Sequence, residues 1–139
     1  MITPNKKHMN YLNFLADYAK KVEAVRKSKH AAMIWYKGDT FLGINQLKSH
    51  PFQKEWGKNV DAIYLHSEID AIKNALKGLT LEELAKSTLY ICRVKHPSAQ
   101  DRSWVWGNSK PCLGCARAIA KFNIKEVIYT LDVDTYDFL

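Results

Sequence analysis

Leu65-His66-Ser67-Glu68-Ile69-Asp70-Ala71-Ile72 and, later in the chain, Ser109-Lys110-Pro111-Cys112-Leu113-Gly114-Cys115-Ala116 are the stretches that decide the fold. Each reads as the opening of a helix. After the first, Ile69, Ile72, Ala75 and Leu76 recur at helical spacing up to a stop at Gly78. In the second, Pro111 stands where a helix start tolerates a missing N–H. Together the two openings supply one His, two Cys and one Glu. Cys112 and Cys115, three apart, share one face of a first helical turn, where free N–H groups and the helix dipole favour thiolate over thiol. His66 and Glu68 are two apart and would point to opposite sides of a regular helix. They share a pocket only if His66 sits at the very start and turns back.

Three N/S donors leave the fourth tetrahedral position of a zinc ion open, which separates a catalytic site from a closed structural one. Water in that position ionises near neutral pH and provides a hydroxide that no side chain could supply. The expected zinc ligands are therefore His66, Cys112 and Cys115. Glu68, the only acid beside them, is the expected general acid/base.

His66-Ser67-Glu68 with Pro111-Cys112-Leu113-Gly114-Cys115 resembles the cytidine/deoxycytidylate deaminase superfamily, whose zinc-dependent members carry H-x-E and P-C-x-x-C. Either half alone is weak, since C-x-x-C also serves redox and structural zinc sites. Order, the proline and the helix context make the joint signal specific. The resemblance spans roughly residues 31–130. It implies an α/β fold: a cytidine deaminase-like three-layer sandwich around a mixed central sheet of four to five strands. It also implies attack on C4 of cytosine, with Glu68 taking a proton from water, delivering one to ring N3 and helping expel ammonia. Asn45, closing the second strand, takes the place of a sugar contact. Relatives continue through a further helix and a fifth strand, for which residues 132–139 are too few, so the last strand should be absent or short. Asp132, Tyr136 and Phe138 are the side chains at that end available to close over a base.

A length of 139 residues suits a single deaminase domain, residues 1–139, with a core that needs no disulfides. Three cysteines, two of them in the motif, are not a disulfide framework and point to a reducing, cytoplasmic setting. Cys92 lies in an apolar run and reads as packing. No apolar stretch reaches the length of a membrane span, and Met1-Ile2-Thr3-Pro4-Asn5-Lys6-Lys7 lacks a signal-peptide core. The net charge is +7, concentrated early in Lys6, Lys7, Lys20, Lys21, Arg26, Lys27 and Lys29. This bias suits a phosphate-bearing partner or, more simply, a solvated basic helix.

Residues 5–27 read as an amphipathic helix, with Met9, Leu12, Leu15, Ala16, Ala19 and Val22 on one face. Residues 31–36 and 40–45 read as a hairpin turning at Lys37-Gly38-Asp39, and residues 46–64 as a long loop. Thr80-Leu81-Glu82-Glu83 matches a capping box. Residues 88–94 form a third, central strand, residues 95–110 a second loop, and residues 125–130 a fourth strand after the Cys-bearing helix.

Candidate substrate contacts are Asn45, Lys48 and His50 in the first loop region, Trp104 and Trp106 in the second, and Ser109 and Pro111 beside the Cys pair. Lys48, with Ser49 and His50, could hold a phosphate; the tryptophans could stack on a base, or simply cover the sheet edge or a subunit contact. The first expectation is a cytosine nucleotide of the deoxycytidylate type. Alternatives are a deaminase of single-stranded DNA or tRNA, a structural-zinc nucleic-acid-binding module, and an inactive relative. By analogy the chain should form a homo-oligomer.

Overall fold

A computed structural model of the chain describes residues 5–21, 29–45 and 66–139. The expected helical extension to residue 27 and the loop 46–64, with Lys48, Ser49 and His50, lie outside the described residues. The elements are α1 (Lys6–Lys20), β1 (Lys29–Tyr36), β2 (Asp39–Ile44), α2 (Ser67–Ala75), α3 (Leu81–Ala85), β3 (Thr88–Lys95), β4 (Val105–Gly107), α4 (Leu113–Lys121), β5 (Glu126–Asp132) and β6 (Thr135–Phe138).

The sheet runs β2-β1-β3-β5-β6 with β4 also on β3, and it is mixed: β3 and β5 are parallel, the other pairs antiparallel. It has six strands rather than four or five. The last, β6, is a four-residue strand antiparallel to β5. The other addition, β4, lies inside the stretch read as a loop, because Val105-Trp106-Gly107 is too short for any alternation to register. The hairpin turns at Lys37 and Gly38, both at positive φ (47° and 88°), the pattern of a two-residue turn whose twist matches its strands.

Strand alternation sends side chains to two faces. Ala31, Met33, Tyr90, Cys92 and Ile128 pack against Leu12, Leu15, Ala16 and Ala19 of α1. Ala32, Ile34, Leu89, Ile91, Val127 and Tyr129 pack with α2, α3 and α4 through Ala71, Ile72, Ala75, Leu84 and Ile119. These are the three layers of the expected α/β sandwich. Cys92 is fully buried, and that burial pushes its thiol up to about 12. Thr80 forms the capping box, its hydroxyl accepting from Glu83 N at 3.1 Å while Glu83 Oε1 accepts from Thr80 N at 2.9 Å.

Helix α2 also covers the sheet edge. Asn74 Nδ2 donates to Leu42 O at 2.7 Å, and Asp70 Oδ2 accepts from Ile44 N at 3.0 Å, so side chains of α2 satisfy backbone groups that β2 turns away from β1. Gly43 makes this approach feasible, since a Cβ there would overlap Ala71 N and Ser67 O.

Candidate metal centre and its cavity

His66 is the N-cap of α2, extended at φ −83° and ψ 155°, and its side chain makes no capping hydrogen bond. The ring is thus directed elsewhere: Nδ1 lies 3.3 Å from Cys115 Sγ and 3.6 Å from Cys112 Sγ. This is the turn-back that the His66/Glu68 spacing requires. Cys112 is itself the N-cap of α4, and its Sγ accepts from Cys115 N at 3.5 Å. Pro111 therefore precedes the cap instead of occupying the first helical position, a shift of the expected helix start caused by the extended backbone of Cys112 (φ −66°, ψ 169°).

One donor atom from each of His66, Cys112 and Cys115 lies within 4.8 Å of the others. Hydrogen bonds from Cys115 and His66 pull the Cys112 thiol down to about 3. Cys115, donating to Cys112 and buried, is pushed up instead. The hydrogen bond with Cys112 raises His66 above its ordinary value, against the effect of burial. Two sulfurs and an imidazole, three donors where a closed structural site has four, fit zinc.

Both helix N-termini face this cluster, so their dipoles favour negative charge on it. Glu68, in the first turn of α2, is buried, and its Oε1 accepts from Ser67 Oγ at 2.8 Å. A cavity of about 230 Å³ opens beside these groups, lined by His30, Asn45, His66, Ser67, Glu68, Ser109, Lys110 and Cys112. It is smaller than the roughly 300–1,000 Å³ that drug-sized ligands occupy, which suits a single heterocycle.

The segment that carries Cys112 is anchored where β3 changes partners. The first half of β3 pairs with β5 and its end with β4. At the handover, side chains replace the ladder: Ser109 Oγ donates to Ile91 O at 3.0 Å and accepts from Thr130 N at 2.8 Å. Thr130 Oγ1 accepts from Arg93 N at 3.2 Å and donates to Gly107 O at 2.7 Å.

The other expected contacts fall unevenly. Asn45 lines the cavity, and its Oδ1 also accepts from His30 N at 2.9 Å, so it ends the hairpin as well. Ser109 lines the cavity, but its hydroxyl is spent on the sheet. Pro111 is buried outside the lining. Trp106 is 5% exposed in the core under α1, and Trp104 lies against His96 with ring centroids 3.9 Å apart and planes tilted by 31°, and packs against that same core. Neither tryptophan lines the cavity, because this stretch joins the sheet as β4 and directs them to the α1 side. Tyr136 is likewise buried under α1, its Oη accepting from Asn5 N at 2.7 Å. His30 and Lys110 are cavity residues that the sequence reading did not single out. For His30 the available signal was parity, since it alternates with Ala32 and Ile34 on β1.

The sequence profile of the cytidine and deoxycytidylate deaminase zinc-binding region matches residues 5–131. Among solved structures, the dCMP deaminase from the cyanophage S-TIM5 in its apo form is similar in fold. It aligns at a TM-score of 0.51 and 18% identity, covering 94% of this chain and 86% of that one. No curated protein matches the chain in sequence.

Proposed function

The chain belongs to the cytidine and deoxycytidylate deaminase zinc-binding family, and from that membership we propose that it hydrolyses the amino group of cytosine in a free nucleotide of the deoxycytidylate type, giving the uracil nucleotide and ammonia. The observation that carries the reading is the meeting of His66 Nδ1 with both sulfurs, at 3.3 and 3.6 Å, beside a buried Glu68 on the wall of one small cavity.

His66, Cys112 and Cys115 would hold zinc, which when bound supplies a water acidified for attack at the ring carbon that bears the amine. Glu68 moves the protons. Its carboxylate accepts a proton from the attacking water and passes it to ring N3, then takes a second from the hydroxyl now on C4 and delivers it to the departing amine, so two protons are taken and two are given and the group ends each cycle as it began. Ser67 Oγ, bonded to Oε1, fixes the carboxylate for this work and leaves the transfers to Oε2. Asn45 at the cavity edge would contact the sugar. Lys110, exposed at the same cavity, adds a positive charge suited to a phosphate, a role for which Lys48 and His50 are further candidates. Assembly as a homo-oligomer is part of the same proposal, carried over from the family.

The test is ammonia release from purified protein given cytidine, deoxycytidine, their monophosphates, adenosine counterparts and oligonucleotides. Turnover concentrated on a cytosine mononucleotide, with a shallow ionic-strength dependence, supports the reading. Turnover confined to oligonucleotides, with a steep salt dependence, would replace it with a polynucleotide deaminase.

A further inference from the structure

We propose that His30 is a specificity-determining residue of this cavity: its imidazole N–H donates a hydrogen bond to the ring carbonyl of the bound pyrimidine. The inference rests on the deaminase reading above. His30 lies on the face of β1 that continues into Ala32 and Ile34, both wholly buried apolar core, so a polar ring at the next position of this row is a departure from the pattern. The departure coincides with the cavity wall it shares with Glu68 and His66. The backbone beneath the ring is held from both sides, His30 N donating to Asn45 Oδ1 at 2.9 Å and His30 O accepting from Asn45 N at 3.4 Å. A side chain with so fixed an origin can present an atom repeatedly to one place.

The chemistry asks for a donor there. Glu68 serves N3 and the amine, leaving the carbonyl on the other side of N3 as an acceptor that must be matched once water is excluded. The cavity's hydroxyls are committed elsewhere, Ser67 Oγ to Glu68 and Ser109 Oγ to Ile91 and Thr130. An imidazole in either protonation state carries at least one N–H donor, the group that this carbonyl needs.

Two measurements test this. Replacing His30 with Phe keeps a ring and removes the donor, while His30→Gln keeps a donor. The Phe variant should raise KM for the cytosine nucleotide about three- to ten-fold with kcat less affected, and Gln should recover part of the loss, at unchanged zinc content and melting temperature. Parental KM in both variants overturns the proposal. The second measurement uses zinc-loaded Glu68→Gln protein with labelled histidines, titrated with deoxycytidine monophosphate and followed by NMR. His30 ring resonances should move, and deoxyribose phosphate alone should leave them in place. Movement at His66 without movement at His30 overturns this inference and leaves the deaminase reading standing; no movement at any cavity residue removes both.

Discussion

Glu68 has almost no solvent contact and a fixed neighbour in Ser67 Oγ at 2.8 Å, so a neutral isostere can occupy its place without a new void. Glu68→Gln should keep one equivalent of zinc by elemental analysis while turnover falls about 10²- to 10⁴-fold. Parental turnover would remove Glu68 from proton transfer. Ser109 acts through the backbone. Ser109→Ala leaves Thr130 N, in a fully buried residue, without the acceptor it has at 2.8 Å, which should cost about 1–3 kcal/mol in urea unfolding. Because the same segment leads to Cys112, zinc should also dissociate faster from that variant. At this scale the meeting of His66 with the two cysteines was legible in the sequence, since donor chemistry and spacing limit what they can do together. Ser109 and Trp106 were not: where a hydroxyl or an indole points depends on β3 exchanging β5 for β4, which no local pattern records.

At the scale of elements, the close approach of α2 to β2 is what sets His66 and Glu68 over the cavity. Gly43→Ala places a methyl group against the backbone of Ala71 and Ser67, so one of the two elements must move. The expected loss is about 1–3 kcal/mol by chemical denaturation, together with weaker zinc binding, because Ser67 sits between the ligand and the acid. Parental stability and affinity would show that the approach is not constrained. The helices and long strands could be read from periodicity and caps, down to the box at Thr80. The exceptions are informative: β4 is three residues long, and α4 begins two residues later than its proline suggested because Cys112 takes the cap with its own sulfur.

Across the whole molecule the two faces of the sheet divide the labour. The α2 and α4 face carries the His66, Cys112 and Cys115 cluster, whereas α1 closes the other face through apolar packing and an aromatic group around His8, whose Nδ1 lies 2.7 Å from Tyr90 Oη. Burial lowers His8 below its ordinary 6.5, with Lys7 adding to the effect and Glu126 opposing it. The unfolded chain therefore binds this proton more readily, so the stability His8 contributes is present above that ordinary value and is lost as pH falls below it. The melting temperature should decline from about pH 7 to pH 5 less steeply in His8→Gln than in the parent, and equal slopes would exclude His8 as a source. Among the described residues no helix is long and apolar enough to cross a membrane. The layered α/β architecture was legible from the order of helices, hairpin and strands; the partition of aromatic residues between faces was not, because it depends on strand pairings distant in sequence. What the proposed chemistry needs most is that three side chains, brought from separate helix starts, bind one zinc ion and no fourth protein donor. X-ray absorption at the zinc edge of the purified protein measures this directly: the expected shell is two sulfurs at about 2.3 Å and two lighter atoms, one imidazole nitrogen and one water oxygen, at about 2.0–2.1 Å. A shell filled by four protein donors, or protein that retains no zinc, would contradict it.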